Sequence, residues 1–312
     1  MATAIVILNY NTASDTIGCI KSIEAHNTAP VKYIVVDNGS SDEKEIKLLD
    51  DFFIQSQKSY SFLTDKDTPT TSLPYFTFLV SSVNDGYAKG NNKGLKLAFD
   101  DTSLQNILIL NSDVLFSEDI IPILVRFNDS RQDCGLITPL VMSRWGTIDH
   151  CCARMAPTNW DIILTFLLFN KNIFHLLSKM DERLKILKKH PEYISQPFFQ
   201  VEMPSGACML IDKKLLQDIG GFDPNTFLYY EENILYKKIK KNGVVNYCVP
   251  SVKCIHLGAS STRQLPSTFL KKCNLESADY YMRSYCRLSL TQFSIWSLVK
   301  KLWTLKFALS DK

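Results

Sequence analysis

Ile107-Leu108-Ile109-Leu110-Asn111-Ser112-Asp113 is the stretch that decides the fold. Four aliphatic residues in a row read as a strand buried on both faces, and the abrupt change to Asn, Ser and Asp places a carboxylate at the edge of a sheet. Ligands of open α/β sheets bind at that edge, in the crevice beyond the carboxyl ends of the strands. Asp113 is an oxygen donor suited to a hard cation there, whereas an isolated Asp after a strand more often caps the next helix.

Two further stretches share this ending. Tyr33-Ile34-Val35-Val36 runs into Asp37-Asn38-Gly39-Ser40-Ser41-Asp42, and Ala4-Ile5-Val6-Ile7-Leu8 runs into Asn9-Tyr10-Asn11. Residues 15 to 26 carry Ile17, Ile20 and Ile23 at helical spacing, so a right-handed crossover sets the strand at 33 to 36 parallel to the first. Three polar strand ends then meet at one edge, which favours a ligand crevice over three unrelated caps. Residues 54 to 74, rich in Ser, Thr, Lys and Asp, read as a surface loop. Asn84 to Gly94, with its glycines and asparagines, reads as a loop whose backbone approaches a ligand before a helix at Leu95.

These segments resemble the family 2 glycosyltransferases. The matching residues are Val6 to Asn11, Val35 to Asp42, Asn84-Asp85-Gly86-Tyr87-Ala88-Lys89-Gly90-Asn91-Asn92, Leu110 to Asp113, and Gly220-Gly221-Phe222-Asp223 through Glu231-Glu232. They stand in the family's order over roughly residues 4 to 262 and look most like the rhamnosyltransferase-type members that build bacterial polysaccharides. The resemblance implies a GT-A fold: an α/β architecture with a mostly parallel central sheet flanked by helices, here with a C-terminal helical extension. It divides the chain into a nucleotide-sugar half at 1–115, an acceptor and catalytic half at 116–265, and a tail at 266–312.

The resemblance also implies roles. Asp113 and His256 would hold Mg²⁺ or Mn²⁺ against the donor's diphosphate. Asn9, Asn11, Asp37, Asn84, Gly86, Asn92 and Asn111 would contact the nucleotide, with Asp37 reading the base edge of uracil or thymine. Glu232 would deprotonate the acceptor, beside Glu231. Three positions depart from the family pattern. Glu232 replaces the usual Asp base, Ile234 stands where a further Asp is usual, and Asn111 stands where many members begin an Asp-x-Asp motif.

The residues support a similar reading of the second half without the family. Glu231-Glu232 opens and Lys240-Lys241-Asn242-Gly243 closes a segment with the charge and capping order of a helix. The glutamates could merely complement the helix dipole. Adjacent carboxylates at a helix start, opposed by their own repulsion, are also suited to contain a general base. His256 ends the short strand Val252-Lys253-Cys254-Ile255, and the small residues of Met203-Pro204-Ser205-Gly206-Ala207-Cys208 leave room for a sugar ring.

Composition excludes more than it assigns. A net charge of +3 on 312 residues, with 46% hydrophobic and 21% charged, is ordinary globular usage and gives no basis for nucleic-acid binding. Nine cysteines without a Cys-x-x-Cys pair argue against a disulfide framework or a zinc site and for a reducing, cytoplasmic compartment. No signal core or membrane-spanning run is present in the sequence.

Two apolar stretches bear on partners. Trp160 to Phe169 with Ile173-Phe174-His175-Leu176-Leu177, and the tail with Trp296, Val299, Leu302 and Trp303 beside Lys300, Lys301 and Lys306, fit a helix lying on the inner face of a membrane or a contact with the core or a second subunit, as in a homodimer. The expected activity is inverting transfer of rhamnose or a hexose from a dTDP- or UDP-sugar to a glycan or lipid-linked acceptor. Two other readings are a nucleotidyltransferase, disfavoured by the absence of a Gly-rich basic loop after the first strand, and a catalytically silent scaffold in polysaccharide assembly. A dinucleotide oxidoreductase is disfavoured because no Gly-x-Gly-x-x-Gly follows that strand.

Overall fold

The computed structural model describes residues 1–67, 71–168, 184–258 and 265–310. The apolar runs form strands where expected: β1 (Ala2–Asn9) leads through α1 (Ala13–His26) to β2 (Val31–Asp37), and β2 pairs with β1 in parallel. The crossover follows from the isoleucines, since Ile20 and Ile23 are fully buried on the sheet and Ile17 is half-buried beside them. Asp42 then caps α2 (Glu43–Gln55) by accepting the Lys44 N–H at 2.9 Å.

The segment read as a surface loop is partly a strand. β3 (Tyr60–Thr64) pairs in parallel with β4 (Phe76–Val80), and residues 68–70 lie outside the described part. β3 is the edge strand of the sheet, five residues long with only Phe62 exposed, and so short a run among polar residues reads as loop. The glycine-rich stretch is also corrected. α3 (Gly86–Asp100) begins at Gly86, so Gly90 and Gly94 lie inside a helix rather than in a ligand loop. A Cβ on Gly90 would stand 2.6 Å from Leu8 Cδ1, and one on Gly94 would stand 2.8 Å from Val6 Cγ1. The glycines let the helix press onto β1.

β5 (Leu104–Asn111) lies parallel to β1 and completes a parallel array in the order β3-β4-β2-β1-β5. At Ser112–Asp113 the chain leaves β5 for β6 (Val114–Phe116), followed by α4 (Ile121–Asp129) and β7 (Cys134–Ser143). β8 (Ala153–Arg154), α5 (Asn159–Leu167), α6 (Ile186–Lys189) and β10 (Met203–Pro204) lie off the sheet, with β8 paired to β10, while β9 (Phe199–Val201) between them joins its edge. The apolar run at Ile173 to Leu177 lies outside the described residues.

The chain re-enters the sheet with β11 (Cys208–Asp212), antiparallel to β5, before α7 (Lys213–Asp218), α8 (Glu231–Lys241) and β12 (Val245–His256). The sheet therefore continues β5-β11-β7-β12-β6, with β9 on β12, and takes strands from both sides of residue 115. The central sheet is parallel in its first half and mixed in its second. Alternate residues of β1 feed two cores: Ile5 and Ile7 face α1, α2 and α4, while Ala4 and Val6 face α3 and α8. No disulfide links any of the nine cysteines.

A third apolar cluster joins α5 to α9 (Ser267–Ser284) and α10 (Leu290–Ser310). Trp296 and Val299, two residues of the expected membrane stripe, are buried in it, and the Trp303 indole donates to Phe166 O at 2.9 Å. Trp296 Nε1 donates to Asp279 Oδ1 at 2.9 Å, and Lys300 pairs with the same carboxylate. Burial opposes ionisation of Asp279, but the hydrogen bonds from Lys300, Arg283 and Trp296 outweigh it and hold its carboxyl below the ordinary value. A depressed carboxyl stabilises the fold above its unfolded value and loses that contribution as pH falls through the folded one. Trp296→Ala should cost about 3–5 kcal/mol in denaturant unfolding. Below about pH 4 the wild-type chain should lose part of the Asp279 contribution, while an Asp279→Asn variant should start less stable and lose less.

Candidate active site

The strand ends meet at one edge of the sheet, around a cavity of about 830 Å³. That volume suits a nucleotide-sized ligand. One wall is made by Leu8, Tyr10, Asn38, Asn84 and Gly86 from the parallel half, and the floor by Asn111, Ser112 and Asp113. Ser205, Gly206, Glu231, Glu232 and His256 come from the second half, and Met155, Pro157, Ile162, Leu184 and Leu265 add an apolar side.

Asp113 sits at the corner where the chain crosses from β5 to β6. Its backbone carbonyl accepts the Leu257 N–H at 2.9 Å, and β12 pairs His256 with Val114 and with Ser143, so the imidazole is delivered beside the carboxylate. His256 Nε2 lies 3.4 Å from Asp113 Oδ1, and Nδ1 lies 3.0 Å from Asp149 Oδ2. Burial disfavours charge on the ring, but the hydrogen bonds and charges of Asp113 and Asp149 prevail and push it up to about 10. Asp149 is itself fixed by the Cys151 N–H at 2.7 Å. It was not singled out in the sequence, because it lies in an irregular loop with no pattern to mark it.

The donor set fits a divalent cation. Asp113 offers a hard oxygen and His256 a nitrogen on the same cavity wall, and Asp149 fills the place of the outer carboxylate that usually orients a ligating imidazole. Asp149, His150 and Cys151 also lie within 4.8 Å of one another, but the Asp149 oxygens in that group are engaged by His256 and Cys151.

On the opposite side Tyr229 and Tyr230 take left-handed backbone angles, φ 74° and 70°, and open α8. Such conformations cost about 1–3 kcal/mol each and persist where the surroundings impose them. The turn places Glu232 over Gly206, where a Cβ would come within 2.4 Å of Glu232 Oε1. Tyr87 is enclosed between these groups, its hydroxyl 3.2 Å from Gly206 O and 3.4 Å from Asn111 Oδ1. It too escaped the sequence reading of individual side chains.

The residues expected at the nucleotide divide into two sets. Asn84, Gly86 and Asn111 line the cavity, with Asn38 tying Asn84 and the Gly86 carbonyl together at 2.9 and 3.1 Å. Asn9, Asn11, Asp37 and Asn92 are engaged behind the wall. Asn9 donates to Asp37 Oδ2 at 2.7 Å, Asp37 also accepts the Ser40 N–H and hydroxyl, and neither residue is exposed. Asn11 Oδ1 accepts the Ser41 N–H at 2.8 Å, and Asn92 exchanges two hydrogen bonds with the Phe222 backbone. These bonds fix the strand ends and the loop before α8.

Residues 4–141 match the model of glycosyl transferase family 2. That stretch, from β1 into β7, carries the family 2 glycosyltransferase pattern. The chain is 23% identical over 314 residues to the low-salt glycan biosynthesis hexosyltransferase Agl10 of Haloferax volcanii, covering 97% of this chain and 85% of that one. It is 30% identical over 106 residues to the N-acetylglucosaminyl-diphospho-decaprenol L-rhamnosyltransferase of Mycobacterium tuberculosis, covering 34% of this chain and 32% of the relative. The chain also shares its fold with GalNAc-T7 bound to UDP, GalNAc and Mn²⁺, at a TM-score of 0.60 and 13% identity over 91% of this chain and 48% of the other. A second match is the mannosyltransferase PcManGT of Pyrobaculum calidifontis with GDP-Man and Mn²⁺, at 0.52 and 12%, covering 98% and 70%. These structures establish the GT-A architecture of the sheet and helices.

A cation bound at Asp113 and His256 must displace the imidazole proton, so Mn²⁺ binding near pH 7.5 should release about one proton. Calorimetry in buffers of different ionisation enthalpy measures this. Asp149→Asn should weaken Mn²⁺ about 10–100-fold while the chain stays folded. No proton release, or full affinity in the variant, would contradict the assignment.

Proposed function

We propose that this chain is a glycosyltransferase that moves rhamnose or a hexose from a dTDP- or UDP-linked donor to a hydroxyl of a glycan or lipid-linked acceptor, in one displacement that inverts the anomeric carbon. The observation that carries the reading is that Asp113 with His256, and Glu232, line the same cavity. The relatives support it in kind, since one is named for hexosyl transfer in glycan biosynthesis and another for rhamnosyl transfer to a diphospho-decaprenol-linked sugar.

The nucleotide would lie along Tyr10, Asn38, Asn84 and Gly86, on the strand ends that Asn9, Asn11 and Asp37 hold together. Asp113 and His256 would hold Mg²⁺ or Mn²⁺. When bound, the cation supplies positive charge opposite the leaving diphosphate. Glu232 accepts the proton of the attacking hydroxyl, and Gly206 leaves space for that carboxylate. One base suffices for an inverting displacement, so no covalent nucleophile is required. The apolar side formed by Met155, Ile162, Leu184 and Leu265 would receive the acceptor.

Among the described residues no helix is long and apolar enough to cross a membrane. Leu298, Leu302 and Leu305 of α10 remain exposed, close in the helix to Lys301. That stripe supports attachment to the cytoplasmic face of a membrane carrying the acceptor.

Thermal-shift titration with UDP, dTDP and GDP, each with and without Mn²⁺ or Mg²⁺, tests the reading. A pyrimidine nucleotide with metal at about 100 times its Kd should stabilise the chain by about 2.7 kcal/mol, and Asp113→Asn should remove the metal-dependent part. Glu232→Gln should reduce transfer about 10²–10⁴-fold while nucleotide binding persists. No metal-dependent stabilisation by either pyrimidine nucleotide, or retained transfer in the Gln variant, would contradict it.

A further inference from the structure

Glu231 and Glu232 are adjacent in sequence, yet the cavity treats them differently. Glu232 is half-buried and stands over Gly206 on the cavity lining. Glu231 lines the same cavity but is only 6% exposed. Its Oε1 is buried without a hydrogen-bond partner. A carboxyl oxygen shut away from water and left unpaired weakens the fold, and a ligand group that reaches it recovers the loss. The strained Tyr229–Tyr230 turn stands directly before it and opens α8.

We propose that Glu231 is a substrate-binding residue whose free Oε1 holds a hydroxyl of a sugar ring, leaving proton removal to Glu232 alone. This rests on the glycosyl-transfer reading above. A sugar hydroxyl both donates and accepts, and a protonated carboxyl can answer both ways where a carboxylate only accepts. Burial, then the charge of Glu232, pushes the Glu231 carboxyl up to about 8. The titratable groups facing it are Glu232 on α8, Tyr229 on the turn, Tyr87 on α3 and Cys273 on α9, and Arg154 on β8 faces its neighbour Tyr230. Glu231 therefore keeps its proton at neutral pH and loses it as the solution turns alkaline.

The test uses the full chain with Mn²⁺ and compares UDP-glucose, dTDP-rhamnose and GDP-mannose with their parent nucleotides by calorimetry. If the hydroxyl belongs to the donor, Glu231→Ala weakens the bound nucleotide sugar about tenfold or more and leaves the parent nucleotide unaffected. Glu231→Gln, an uncharged isostere, stays within about threefold of wild type and, unlike wild type, holds that affinity at about pH 9. If the hydroxyl belongs to the acceptor, donor affinity is equal in all three proteins. The Ala variant then raises KM for polyprenyl diphosphate-linked N-acetylglucosamine, and the Gln variant restores it. Equal damage from Gln and Ala, or loss of the parent nucleotide along with the sugar, would reduce Glu231 to packing and overturn the proposal. So would a Gln variant that abolishes transfer with binding intact, since Glu231 would then be a base. A wild-type chain that binds none of the three donors would overturn the glycosyl-transfer reading itself. Donor binding by wild type with an Ala variant indistinguishable from it in both readouts would overturn this inference alone.

Discussion

The placement of one imidazole between two carboxylates is the constraint on which the site depends. His256 reaches Asp113 through one ring nitrogen and Asp149 through the other, and three separate pieces of backbone must agree for that to happen. β12 must pair with β6 so that His256 faces Val114, and with β7 so that it faces Ser143, while Leu257 N–H must find the Asp113 carbonyl. A one-residue slip in either ladder would turn His256 to the other face of the sheet. The register of the mixed half of the sheet is thus tied to the chemistry at its edge.

The parallel half contributes a rigid frame. Asn9, Asp37 and Ser40 form a buried hydrogen-bonded group at adjacent strand ends, and Asn38 extends it to Asn84 and the start of α3. Asp37 is fully buried, and hydrogen bonds from Asn9 and Ser40 satisfy its carboxylate there. The second half brings the reactive groups to that wall by way of β11, whose entry at Gly206–Ala207 lies beside Asn111, and of the strained turn before α8.

Much of this was legible in the sequence because strand endings are local. Each apolar run and its polar stop lie within a few residues, so β1, β2, β5 and the edge they share followed from pattern alone. The charge order of Glu231 to Lys241 likewise announced α8. The glycine-rich stretch misled because its glycines were read as a loop, although Gly90 and Gly94 stand four residues apart, the spacing of one helix face packed closely on a sheet, while Gly86 meets the Phe227 backbone at the helix start. The tail showed its apolar residues but not their partners. Which of Trp296, Val299 and Leu302 faces protein depends on α5 and α9, distant in the chain. Asp149 was invisible for the same reason, lying in a loop whose meaning comes only from His256, and the unequal burial of Glu231 and Glu232 depends on Gly206 and a backbone turn that no adjacent-acid pattern encodes.

The account stands or falls on where a cation settles. Crystals of the chain grown with Mn²⁺ and UDP, measured at the manganese absorption edge, locate it directly. The predicted result is an anomalous peak within coordination distance of both Asp113 and His256, in the cavity that Glu232 lines. A peak at His150 and Cys151 instead, or none in that cavity, would contradict it.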